Sequence, residues 1–560
     1  MAGRTTPANR TPDIRELPAK IHVDGLSGPM CRAGEERRAN CSYTLRKVMT
    51  TMITGIARAT AQNSHTQVTK QNQGIRLMIG ALAIALLLSV GAARRAQAQS
   101  LKVLHVFTDS TNDGGYPQAN LIRDTSGNLY GTTSEGGEYN AGTVFKLDPS
   151  DTLTVLHSFG TVANDGTTPV AGLVLDASSG YLYGTTERGG GSYDGTVFKV
   201  DTSGNNYSVL HSFTGYNSIS PSNSDGANPE AGLFLDSSNH LLYGTTRVGG
   251  SNNDGTVFKI DTSGSNYSVF YSFSGGLSDG QYPEAGLVMD STGNLYGTTF
   301  YGGLYYVGTV FKLDSTDGFT LLHSFAGHLN DGALPQAGLV MDSSGYLYGT
   351  TAAGGAYGYG NAFKIDTSGN NFAVLHNFSD GDGQYPKAGL VLDSTGNNLY
   401  GTAYFGGSSG EGTAFKMDTS GNNFAVLANF SPSQGENPQA SLLIDPSGNL
   451  YGTTRYAGSS YGTVFEIATT PQAAIQGIIT QVESLASQGV LNQGQENSLV
   501  TELQHAINMV NAGKINGAIG NLESFIDDVN NLLNSGVLTS DQGASLINAA
   551  TSVIEQLQAM

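Results

Sequence analysis

The run LYGTT, or LYGTA in one copy, occurs seven times, starting at Leu129, Leu182, Leu242, Leu295, Leu347, Leu399 and Leu450. The copies lie 51–60 residues apart. No other feature constrains the fold as strongly. A fixed period makes every unit the same supersecondary element, and each must bury its apolar faces against copies of itself. Within a unit the order is constant. After LYGTT come two variable residues, then a Gly-Gly pair in six of the units, then a run such as GTVFKL (142–147). A turn such as DTSGNN leads to VLHSF (155–159, 209–213), and a DGxxPxAG loop delivers a run such as AGLVLD (171–176). These runs are rich in β-branched and aromatic residues and are bounded by Gly, Asn, Asp, Ser and Pro, which is how strands and tight turns read. Four strands per period describe one propeller blade, with LYGTT as its second strand.

The phase of the repeat predicts how the ring closes. The first outer-strand motif, VLHVF (103–107), precedes any inner strand, and the last unit stops at GTVFEI (462–467). Val103–Phe107 is therefore expected to complete the blade begun near Ala440, leaving few open sheet edges. The expectation is a mainly β chain: a seven-bladed β-propeller over 99–470, closed by an N-terminal outer strand.

After Pro471 the period changes to a helical one. Ile475, Ile478, Ile479, Val482 and Leu485 open the pattern, and Leu546, Ile547, Ala550, Ile554 and Leu557 end it. LASQGVL (485–491) and LLNSGVL (532–538) read as two related hairpin turns, and Thr539-x-x-Gln542 as a capping box. Residues 471–560 are expected to form a small four-helix α module that mediates attachment or assembly.

The N-terminal part differs in composition. Residues 1–98 hold 14 Lys/Arg and 5 Asp/Glu; of the chain's 27 basic and 46 acidic residues, 13 and 41 remain for 99–560, a formal charge of −28. So acidic a surface repels phosphate backbones and anionic membranes, which excludes nucleic acid as an expected partner. Residues 77–93 form an apolar run, and Ala96 and Ala98 make a small-x-small site, so 77–98 reads as a signal peptide cut after Ala98. Arg94, Arg95 and the long leader at 1–76 depart from that pattern. An uncleaved anchor helix is the alternative, and Met49, Met52 or Met78 is a candidate start. Both cysteines, Cys31 and Cys41, precede the cut, so the mature chain would carry neither disulfide nor thiolate. The expected location is outside a bacterial cytoplasm: secreted, cell-surface or periplasmic, with no membrane span after cleavage.

The "GNLYGTT…GG…GTVFK…VLHSF" order over roughly 101–467 resembles the GloVer-type tandem repeats of bacterial secreted proteins. The tail, especially NAGKINGAIGNLESFIDDVNNLLNSGVLTSDQGASLINAA, resembles the FIMAH-type helical module, although FIDDV (525–529) departs from that module's signature. The resemblance implies an exported multi-domain protein and no catalytic residue.

In an antiparallel blade the DGxxP loop and the two residues before Gly-Gly share one rim. There the frame is constant and the side chains vary, as in loops that bind on a rigid scaffold. The candidate rim is Glu187, Arg188, Arg247, Phe300, Tyr301, Tyr404, Phe405, Arg455 and Tyr456, whose rings could stack on sugars beside polar groups. Unconstrained surface is the competing reading. A second ring follows the loop prolines: Gln118, Val170, Glu230, Glu284, Gln336, Lys387 and Gln439. Glu230 and Glu284 fall on adjacent blades, so they are either an acid/base pair or polar lining of a wet channel. His105, His157, His211, His323 and His376 share a position with Tyr271 and Ala428, which makes them structural. The Asp residues of the DG loops read as turn formers rather than Ca²⁺ ligands. No zinc cluster, nucleophile elbow or phosphate loop occurs, and no metal or cofactor is expected. Two functions follow: a non-catalytic binding or scaffold protein that recognises polysaccharide or a cell-surface partner, or a polysaccharide lyase or hydrolase using the channel-mouth carboxylates.

Overall fold

A computed structural model of the chain describes residues 101–558, apart from 216–224, 329–330, 446–447, 459 and 469. The segments expected to be a basic leader (1–76) and a signal peptide (77–98) lie outside the described residues. Seven four-stranded antiparallel sheets follow the repeat, and LYGTT is the second strand in each. Blade one runs Ile122–Arg123, Leu129–Thr133, Thr143–Leu147, Leu153–Ser158. In blade seven Leu443–Ile444, Leu450–Thr454 and Thr463–Ile467 are joined by Leu101–Val106, with Leu101 opposite Ile467 and Val106 opposite Thr463.

Each residue of LYGTT has its own task. Leu129 is buried in the blade. Tyr130 donates its hydroxyl to Asp124 in the preceding turn, at 2.9 Å. Gly131 pairs with Phe145 across the sheet, and a Cβ there would stand 2.6 Å from the Phe145 ring, so only glycine leaves the ring its place. Thr132 donates to the Ala171 carbonyl of the next blade at 3.0 Å, while Thr133 bonds Thr143 within its own blade at 2.8 Å. The Thr-to-Ala bond recurs at every joint, ending with Thr453 to Ala119 at 3.2 Å.

The core lies between blades. The Phe of each GTVF or NAF/TAF strand meets the outer-strand Phe of the preceding blade, as in Phe159–Phe198, with ring centroids 5.1 Å apart in an edge-to-face pair. Phe107–Phe145 and Phe430–Phe465 repeat the contact at 5.2 and 4.9 Å. All of these rings are buried.

A third joint involves the residue before each loop proline. Tyr116, Thr168, Asn228, Tyr282, Leu334, Tyr385 and Asn437 all have φ between 52° and 58°. That region is strained for non-glycine residues, and a following proline disfavours helical conformations further. The strain is held by two hydrogen bonds. Thr168 donates its N–H to Ala141 of the preceding blade at 2.9 Å, and its carbonyl accepts from Glu187 of its own blade at 3.1 Å. The same pair of bonds recurs in all seven copies.

Helices follow at Pro471–Ser487, Gln493–Asn511, Ile515–Asn534 and Ser540–Gln558. They pack around Ile475, Leu499, Leu503, Leu522 and Phe525. The two related turns fold alike: Gly489 and Gly536 are both left-handed at φ 74°, and each precedes a capping box. The box expected at Thr539 is present, with the Gln542 side chain accepting from Thr539 N at 3.0 Å and Thr539 Oγ1 accepting from Gln542 N at 3.3 Å. Asn492 and Gln495 form the other, which the sequence reading missed because Asn replaces Ser or Thr. Among the described residues no helix is long and apolar enough to cross a membrane.

The asparagines at the strained position make one bond more than the other residues: Asn228 Nδ2 donates to Glu187 O and Asn437 Nδ2 to Tyr404 O, both at 3.1 Å. Asn also tolerates the left-handed region better than a β-branched residue. Thr168→Asn should therefore stabilise the protein by about 0.5–1.5 kcal/mol, read as a raised thermal midpoint. An unchanged or lowered midpoint would count against strain at this joint.

Candidate functional site

The two loops expected on one rim are hydrogen-bonded to each other in every blade. Thr167 pairs with Arg188, Ala227 with Val248, Gln281 with Tyr301 and Ala333 with Ala353. Single bridges join Gly115 to Glu135, Gln384 to Phe405 and Glu436 to Tyr456. Because the ladder is backbone only, the side chains on it are free to differ. The seven residues after the prolines line one axial cavity of about 140 Å³. Glycines form its wall: a Cβ on Gly232 would meet the Gly172 carbonyl of the preceding blade at 3.2 Å. At the seam of blades seven and one, Ser441 and Asn120 replace them, and Ser441 N donates to Asn120 Oδ1 at 2.7 Å.

The rim and the axial ring, separate in the sequence, merge at the mouth. The first rim residue of a blade reaches the axial residues. Gln118 Nε2 donates to Ser134 Oγ at 3.0 Å. Arg247 of blade three stands between two carboxylates, with Nε 2.9 Å from Glu284 Oε1 of the next blade and 3.6 Å from Glu230 Oε1 of its own. Its guanidinium also lies over the Tyr282 ring, 5.2 Å from the centroid. Glu230 and Glu284 thus flank one cation, Arg247, which the sequence placed in the other ring. Burial pushes the Glu230 carboxyl up to about 7, Glu284 adds to the rise and Arg247 opposes it.

The other predicted rim residues fall into two groups. Glu187 is half-buried and pairs with the exposed Arg188 at 3.1 Å. Tyr301 and Phe405 are exposed at the outer rim position, each against its neighbour: Phe300–Tyr301 and Tyr404–Phe405 have centroids 4.5 Å apart. Tyr404, at the first rim position, and Tyr456, at the second, are half-buried. Lys387 Nζ stands 4.2 Å from the Tyr404 centroid, and the Arg455 guanidinium 5.3 Å from that of Tyr456. Tyr456 also meets Tyr116 of blade one edge-on at 5.5 Å. Three residues the sequence reading passed over, Tyr116, Tyr282 and Tyr385, hold the strained position and turn their rings toward the rim aromatics. The signal for them was the hydroxyaromatic before proline in DGGYP and DGQYP.

The histidines are structural. His157 Nε2 lies 3.1 Å from Asp165 Oδ2, the same oxygen accepts from Gly160 N at 2.9 Å, and the His157 ring stacks on Tyr207 at 3.5 Å. His105, His211, His323 and His376 each meet a DG-loop Asp in the same way. Where the Asp becomes Gln434 the His becomes Ala428, and Gln434 turns to Ser431 instead. Where Tyr271 replaces the His, its hydroxyl donates to the retained Asp279 at 3.2 Å.

The sequence profile of the Gloeobacter/Verrucomicrobia repeat matches 91–224, 218–397 and 288–501, and that of the FIMAH domain matches 475–555. No curated protein matches the chain. Solved structures that resemble it include the oligogalacturonate lyase of Vibrio parahaemolyticus, 10% identical over 66% of this chain and 94% of that one, TM-score 0.40. Another is puromycin hydrolase, 12% identical over 62% and 51%, TM-score 0.37. Likeness at this level carries no argument about function.

Glu230 offers a test with a definite sign. Its folded pKa, about 7, lies above the ordinary 4.5, so the neutral form is favoured by folding. The folded state is therefore penalised as pH rises from 4.5 through 7, and unpenalised below. Glu230→Gln should raise stability by about 1–2 kcal/mol at pH 8.5 and leave it unchanged at pH 4. Thermal denaturation across that range checks it; a pH-independent difference contradicts the assignment.

Proposed function

We propose that this chain, which belongs to the Gloeobacter/Verrucomicrobia repeat family, is an exported bacterial binding and scaffold protein whose propeller rim recognises polysaccharide on a cell surface. The observation that carries this reading is the mouth itself. A backbone-only ladder presents varied side chains, and on blades six and seven aromatic rings are held half-exposed beneath cations. Flat rings flanked by hydrogen-bond donors suit sugars, which offer an apolar face and a rim of hydroxyls. The axial cavity of about 140 Å³ is below the roughly 300 Å³ at which enclosed ligand pockets begin. That favours recognition across the rim over engulfment. In this reading residues 77–98 export the chain, and the helical region at 471–560, with its FIMAH match, attaches or assembles it.

The second reading is a polysaccharide lyase or hydrolase. It draws support from Glu230, whose raised carboxyl would remain protonated near neutrality beside Glu284. Against it, Arg247 and Gln336 both engage Glu284, at 2.9 and 3.5 Å.

A screen of the mature chain against soluble and insoluble polysaccharides, with a reducing-end assay, separates the two. Binding without new reducing ends, weakened roughly tenfold or more by Tyr404→Ala and by Tyr456→Ala, is the expected result. New reducing ends that vanish in Glu230→Gln would replace the binding reading with the enzymatic one.

We further infer that Leu101–Val106 closes the ring, supported by its register against Thr463–Ile467 and by the buried Phe107. Deleting 101–107 would bare the Thr463–Ile467 edge and empty the Phe107 site. The deletion should lower the melting temperature by more than 10 °C, on the order of several kcal/mol, and promote self-association in sedimentation. A monomer of unchanged stability would remove the closure.

A further inference from the structure

The repeat supplies its own control experiment at the mouth. Arg247 and Arg455 occupy the same position, the first residue after LYGTT, in blades three and seven. Arg247 is flanked by the axial residue of its own blade, Glu230, and of the next, Glu284, and it pairs with both. The residues in those two places around Arg455 are Gln439 and, across the seam, Gln118. Both are uncharged. Arg455 Nε is shielded from solvent and has no hydrogen-bond partner. Burying a guanidinium N–H without an acceptor costs free energy that a bound anion would return.

A second cation stands in the axial ring one blade before. Lys387 of blade six rests on the Tyr404 ring at 4.2 Å. Burial lowers its pKa, Arg455 lowers it further by like-charge repulsion, and Glu284 opposes both. Among the described residues neither cation has a carboxylate within ion-pair distance; the Lys and Arg pairs of the propeller are those of Lys102, Arg188 and Arg247. One side of the mouth is therefore neutralised internally and the other is left positive.

We propose that Arg455 and Lys387 form an anion subsite that takes the carboxylate of an acidic polysaccharide, which would supply Arg455 with the charge partner that Glu284 gives Arg247. The inference rests on the rim reading and narrows it to uronate-type glycans. A carboxylate offers the guanidinium two oxygens, and Tyr404 and Tyr456 supply faces for the sugar ring that carries it.

The test is calorimetric titration of the mature chain with alginate oligomers and with their propylene-glycol esters, which keep the backbone and lose the charge. The acid form should bind roughly tenfold or more tightly than the ester. Arg455→Gln and Lys387→Gln should remove that preference, so that acid and ester bind each variant equally. Gln118→Glu is the decisive variant, because it rebuilds the Arg247–Glu284 arrangement at Arg455. It should abolish the preference without loss of thermal stability. If acid and ester bind equally and Tyr456→Ala weakens both, the rim reading stands and the anion subsite is overturned. If Gln118→Glu leaves the preference intact, the subsite lies elsewhere and the proposal fails. If neither polymer binds, the anion subsite is overturned, and the rim reading falls with it only where the polysaccharide screen is also negative.

Discussion

A threonine hydroxyl reaching across each joint organises the whole propeller. The inner strands are too short to hold themselves, at two residues in Ile122–Arg123 and three in Val174–Asp176. What fixes them is the neighbour: Thr132 donates to Ala171, and its counterparts repeat this around to Thr453 and Ala119. Each bond contributes on the order of 1 kcal/mol net, but leaving the buried carbonyl unmet would cost more. The bond also sets the distance at which Phe159 meets Phe198 and at which the residue before each proline can clasp two blades. Stability in such a ring is mostly a sum of nearest-neighbour terms. That explains why the repeated residues are those at joints rather than those facing solvent.

Once the joints carry the fold, the mouth is released from it. The ladder between Thr167 and Arg188 or between Gln384 and Phe405 uses backbone groups alone. Side chains at these places can then be acidic, basic or aromatic at little cost to the sheet. The strained residues before the prolines show the same separation. Tyr116, Thr168, Leu334 and Asn437 share one backbone conformation and one pair of bonds while differing in every side-chain property.

The architecture was legible because its signals are local and repeated. Period, strand order, the shared rim and the Thr539 box all follow from short-range rules applied to motifs present many times. The pairing of His with the DG-loop Asp was half legible: Asp is lost with its partner at Ala428 and Gln434, whereas Tyr271 replaces His and keeps Asp279 through its hydroxyl. The charge arrangement was not legible. Arg247 and Glu284 are 37 residues apart and belong to motifs that read as two separate rings. Their meeting depends on the first rim residue of one blade leaning over the axial residue of the next, a consequence of blade-to-blade stagger rather than of any motif. The left-handed residues before proline ran against local propensity altogether, and only the inter-blade bonds that hold them explain their presence.

The mouth also sets local charge against global charge. Residues 99–560 carry a formal charge of −28, a field that would turn away an acidic polymer at long range. At physiological salt that field decays over about 8 Å, so an approaching chain feels mainly the groups nearest to it. Around Arg247 the nearest groups are two carboxylates, and the cation is cancelled. At Arg455 the repeat puts Gln118 and Gln439 in the places of those carboxylates, the guanidinium lies over the Tyr456 ring, and Lys387 adds a like charge, so the cation persists. Two arginines at one repeat position therefore present opposite faces to a ligand. Low salt should extend the global repulsion and high salt should weaken the local attraction. A ligand recognised at Arg455 would bind best between the two regimes, whereas one held by stacking alone would follow neither.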